Sequence, residues 1–120
     1  MGKLYAGGYN GNAKLGIGNS INTLLPTEVS FSKAQYNTEK IVHACGGYKH
    51  TLILSESGLV FASGWNSYGQ LGIGGTASKT QFELINPTQF GNKKVTQIQV
   101  GRNNGYALVK ETGIVYSWVI

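Results

Sequence analysis

The 120 residues carry a formal charge of +5, from ten basic and five acidic side chains, and are 41% hydrophobic, 12% charged and rich in glycine (18) and tyrosine (seven). That balance suits short strands joined by glycine-dependent turns and argues against a chain built from amphipathic helices. Cys45 is the single cysteine, which excludes an internal disulfide and favours an intracellular setting over secretion.

From the N-terminus, residues 4–18 hold an apolar strand running into a glycine loop, and nothing before or after it approaches a membrane span. A weak strand is expected at 27–31, beside Pro26. Stronger strands follow at 39–45, 50–55 and 59–63. The last two flank the turn Ser55-Glu56-Ser57-Gly58, the signature of a hairpin. A second glycine loop, a weak strand at 82–85 beside Pro87, and strands at 94–100, 105–109 and 114–118 complete the series. Proline tolerates only strand starts and edges, so the two weak strands belong on the outside of a sheet.

The same pieces recur. Leu4 to Gly18 aligns without a gap with Val60 to Gly74, 56 residues on, and Lys40 to Leu54 aligns with Lys94 to Leu108, 54 residues on. A third copy opens at Val115-Tyr116-Ser117-Trp118. A unit of about fifty-five residues, repeated, is the mark of an array or propeller.

Gly47, His50 and Thr51 match a G-x-x-H-T hairpin, and Gly64, Asn66, Gly69, Gln70, Leu71, Gly72 and Gly74 match a Trp-Gly-x-Asn strand end followed by Gly-Gln-Leu-Gly-x-Gly. In this combination the chain resembles the regulator of chromosome condensation repeat family. The resemblance implies an all-β fold: a partial β-propeller of about two four-stranded antiparallel blades. Residues 1–18 would end one blade, 19–74 form one repeat and 75–120 a second, more degenerate one. The departures are Ala13 for Gly69, Lys14 for Gln70, Asn104 for His50, Gly105 for Thr51 and Val119 for Gly64. Because Tyr5 and Tyr116 stand at the same phase of the repeat, the outer blade faces need a partner, and the chain is not expected to be a stable monomer.

Chemistry finds little footing. His50 is expected to be a packing residue that bonds backbone across its hairpin. His43 and Cys45 make two ligands where zinc takes three or four. Glu28, Glu39, Glu56, Glu83 and Glu111 are scattered, Glu56 and Glu111 falling in equivalent turns, and they do not form an acid/base pair. Ala62-Ser63-Gly64 is not a nucleophile elbow, and the glycine loops lack the lysine and helix of a phosphate loop. No catalytic, metal or cofactor-binding residue is assigned.

Trp65 and Tyr68, in a loop, are the candidate partner contacts. Tyr9 and Trp118 could join them, although Trp118 fits better between blades. The leading expectation is a non-catalytic scaffold, a fragment or subunit that presents loops to other protein chains. The resemblance also implies guanine nucleotide exchange or chromatin docking by a longer propeller. Nucleic-acid binding is the weakest alternative, since the lysines are mostly single and Arg102 is the sole arginine.

Overall fold

The computed structural model describes residues 2–8 and 10–118, so Tyr9 and Val119 lie outside the described residues. Strand β1 (Tyr5–Gly8) pairs with β2 (Thr23–Glu28). The strands β3 (Ile41–Gly46), β4 (His50–Ser55), β5 (Val60–Gly64) and β6 (Lys79–Leu84) form a four-stranded sheet in chain order. A third sheet joins β7 (Gln97–Val100), β8 (Gly105–Val109) and β9 (Ile114–Trp118). All pairings within the sheets are antiparallel. The fold is an all-β partial propeller, with two, four and three described strands in successive sheets.

The register repeats with the sequence. Phe61 lies opposite Leu84 as Tyr5 lies opposite Glu28, and Phe61 lies opposite Ile53 as Tyr116 lies opposite Ala107. Because side chains alternate along a strand, the middle sheet buries both faces. Ile53, Phe61 and Phe82 pack with Val29, Leu4 and Ala6 of the first sheet's side. Leu52, Leu54, Val60 and Ala62 pack with Ile98, Ala107 and Val109 of the third. An edge-on aromatic pair recurs between sheets, Tyr36–Phe61 at 5.1 Å and Phe90–Tyr116 at 5.5 Å. Such pairs contribute about 0.5–1.5 kcal/mol beyond the area they bury.

The outer sheets leave the corresponding faces uncovered. Tyr106 and Val115 occupy the positions that Leu52 and Val60 hold in the middle sheet, yet they are 41% and 61% exposed against 0% and 1%. Tyr5, the counterpart of the buried Phe61, is 54% exposed.

The outermost strands lie earlier than the sequence suggests, at 23–28 and 79–84 in place of 27–31 and 82–85. Pro26 sits inside β2, which the sheet tolerates because β2 pairs on one side only and the register breaks beside it, between Ala6 and Gly8. The apolar run after it crosses to the middle sheet: the Phe82 N–H donates to the Ser30 carbonyl, and the Ser32 N–H donates to the Phe82 carbonyl. Pro87 instead opens a 3-10 turn, Pro87–Phe90, whose start is capped by the Asn86 side chain accepting from the Thr88 N–H.

Candidate partner interface

Antiparallel alternation gathers the connections 8–23, 46–50, 64–79 and 100–105 at one end of the three sheets. Two of these are long glycine loops, and each is built around a buried asparagine. The Asn10 amide donates to the Asn19 and Ile21 carbonyls, at 2.8 and 3.1 Å, while its oxygen accepts from the Leu15 N–H. Asn66 repeats the arrangement, donating to Gly75 and Ala77 and accepting from Leu71. Both asparagines are fully buried, so each loop folds around its own internal set of hydrogen bonds. Ala13 keeps the backbone conformation of Gly69, with φ of 61° against 76°, and accepts the left-handed strain that glycine avoids.

Each glycine loop is also held by the sheet that follows. The Thr51 and Ser63 hydroxyls donate to the Lys14 and Ala13 carbonyls at 2.8 and 2.9 Å. In the third sheet the equivalent residues are Gly105 and Trp118, and the Trp118 indole N–H donates to the Gln70 carbonyl at 2.9 Å. A Cβ on Gly105 would lie against the indole, 2.6 Å from Cε2. Gly105 and Trp118 are therefore one paired solution: glycine clears the space, and tryptophan fills it and supplies the missing donor.

His50 is fully buried. Its Nε2 lies 3.2 Å from the Asn104 carbonyl of the next sheet, so the bond runs between sheets and not across its own hairpin. A carbonyl can only accept, which assigns the proton to Nε2. Burial pushes the imidazole pKa down, against a smaller upward pull from that carbonyl. Cys45 is half-buried, with its thiol pKa raised by desolvation and Sγ 3.5 Å from the Ile98 carbonyl. His43 is exposed on the same strand. Among the described residues no three of His, Cys, Asp and Glu come together.

Trp65 and Tyr68 meet edge-on, with ring centroids 4.9 Å apart, Trp65 half-buried and Tyr68 61% exposed. The structure extends this pair into a ladder. Lys49 Nζ stands 4.7 Å from the Trp65 ring and 5.3 Å from the Tyr48 ring, and the Arg102 guanidinium lies 4.4 Å from the other aromatic contact, Tyr48. Backbone bonds hold the rungs in register: Trp65 N–H to the Lys49 carbonyl, and Tyr48 N–H to the Arg102 carbonyl. Trp118 is not part of the ladder, being committed to the Gln70 carbonyl and the Phe90 ring. Sequence reasoning missed Tyr48, Lys49 and Arg102. The available signal was that Tyr48 and Arg102 follow equivalent glycines, Gly47 and Gly101, which stacking brings side by side.

The sequence model of the Regulator of chromosome condensation (RCC1) repeat matches residues 1–54 and 57–108. The X-linked retinitis pigmentosa GTPase regulator of Canis lupus familiaris is 37% identical over 116 residues, 97% of this chain and 11% of that protein. The chain thus spans about a tenth of the length of that relative. Among solved structures, human WBSCR16 superposes with a TM-score of 0.79 at 26% identity, over 98% of this chain and 29% of the other. Prp20p from Saccharomyces cerevisiae gives 0.80 at 21% identity, over 97% and 28%, a likeness of fold. The matched repeats, with the sheets and loops described, place this chain in the Regulator of chromosome condensation (RCC1) repeat family.

Proposed function

We propose that this chain is a non-catalytic propeller segment that works as a scaffold, offering its loop end to protein partners through Trp65 and Tyr68. The observation that carries the scaffold reading is the pair of uncovered apolar faces. Tyr106 and Val115 stand open where the middle sheet buries Leu52 and Val60, and a stacked array buries such faces only against further sheets. In this reading other blades, from the same or another chain, cover both ends, and the glycine loops are left free to recognise a partner. Sedimentation and thermal unfolding of the isolated 120 residues test it. The expected result is self-association or a broad, weak transition; a monodisperse monomer with a sharp cooperative melt overturns the reading.

A second reading, action of a complete propeller on a small GTPase or on chromatin, draws on two relatives. One is named a GTPase regulator, and the solved Prp20p structure is described with its binding to Gsp1p and histones. Stimulated nucleotide release from a small GTPase by the full protein would favour it over the scaffold reading.

A further inference from the structure

Charge is divided between the two ends of the sheets. All five glutamates lie toward the end opposite the glycine loops: Glu28 closes β2 and Glu83 is the last residue but one of β6, while Glu39, Glu56 and Glu111 stand in the connections there. Three of them pair with Lys3, Lys40 and Lys93. The loop end carries Lys14, Lys49, Lys79 and Arg102 and has no acidic residue in any of its four connections. Among the described residues none of these four cations is in an ion pair. A chain with a modest net charge therefore presents one wholly cationic face, with Tyr48 and Tyr68 exposed on it.

We propose that this face docks an acidic segment of a partner protein, with carboxylates on Lys49 and Arg102 and apolar side chains on Tyr48 and Tyr68. The proposal rests on the partner-interface reading above and adds the chemistry of the partner. The ring faces argue for a peptide over a nucleic acid. Base stacking needs an open aromatic face, and Lys49 and Arg102 each take up one face, of Trp65 and of Tyr48. The cations keep their remaining N–H donors for carboxylates. A second copy of the same face is disfavoured because it would bring like charges together.

The test uses the full chain and labelled probes followed by fluorescence anisotropy: a short peptide alternating glutamate and leucine, its glutamine counterpart, a single-stranded oligonucleotide and phosphatidylserine vesicles. The glutamate peptide should bind best. The double variant Lys49→Gln/Arg102→Gln should weaken it about tenfold, on the scale of two partly desolvated charge pairs. A matched control, Lys33→Gln/Lys110→Gln, removes the same charge from exposed sites at the opposite end and should change binding less than about twofold, since those charges lie beyond strong screened reach. Equal losses in the two variants, equal binding of the glutamine peptide, or stronger binding of oligonucleotide or vesicles overturns the proposal. Trp65→Ala/Tyr68→Ala separates the two levels. If it weakens a natural protein partner while the glutamate peptide ignores every variant, only the acidic chemistry falls; if nothing moves in either assay, the interface reading falls with it.

Discussion

Gly105 and Trp118 offer a double-mutant cycle whose outcome the repeat itself dictates. Trp118→Ser removes a half-buried indole together with its bond to the Gln70 carbonyl. Full removal of a core tryptophan costs about 3–5 kcal/mol, so a half-buried one should cost about 2–3, of which about 1 is the hydrogen bond. Gly105→Thr places Cβ against the indole and should cost about 1–3 kcal/mol by overpacking. The double variant recreates the Thr51/Ser63 pair of the middle sheet, whose hydroxyls reach the equivalent loop carbonyls. It should therefore lose only about 1–1.5 kcal/mol, a coupling of about 2–4.5 kcal/mol, at or above the upper end of the range seen for contacting residues. Amide hydrogen exchange in β8 and β9 of the full chain measures this directly, at about 1.4 kcal/mol per tenfold change in protection. Losses that add within about 0.5 kcal/mol would refute the pairing.

Other expectations come from the same geometry. Asn66→Asp should destabilise the 64–79 loop by about 2–4 kcal/mol, more than Asn66→Ala, because it sets a buried carboxylate against the Gly75 and Ala77 carbonyls; chemical denaturation ranks the two. Ala13→Gly should stabilise by about 0.5–1 kcal/mol, relief of the left-handed strain being partly offset by a freer unfolded chain; a shift in denaturation midpoint reads it. The His50 pKa is lowered on folding from its ordinary 6.5, so the unfolded chain binds the proton more readily. Its contribution is complete above about pH 6.5 and declines as the pH falls from there toward the folded value. Melting temperatures across this window should show a slope that His50→Asn, the residue the third sheet uses, diminishes.

Much of the fold was legible because period and punctuation agreed. Leu52, Ile53 and Leu54 sit in a strand that is buried on both faces, and the polar turns at Ser57-Gly58 and Thr112-Gly113 marked both hairpins. The outermost strands were misplaced because proline was taken as a boundary, a rule that loses force in a strand paired on one side. The geometry of the candidate interface was half legible. Trp65 and Tyr68 stood out as loop aromatics, but the cations that join them come from other connections, and only the stacking of sheets brings Lys49 and Arg102 beside them. Gly105 looked like loss of the pattern because the residue that compensates for it, Trp118, lies 13 positions away on the partner strand.

That compensation ties the loop end to the stacking. The 64–79 loop carries Trp65 and Tyr68, and its Gln70 carbonyl is gripped by Trp118 from the third sheet. The preceding glycine loop is gripped by Thr51 and Ser63 from the second. Each loop is thus ordered by the blade that follows it, and under the proposed function recognition at one blade would depend on the stacking of the next. Trp118→Ala should accordingly weaken partner binding at the loop end even though the indole is committed to the Gln70 carbonyl and the Phe90 ring, and it should raise amide exchange across 66–72 in step. If binding falls while exchange in that loop stays unchanged, Trp118 touches the partner itself and the loop needs no support from the following blade.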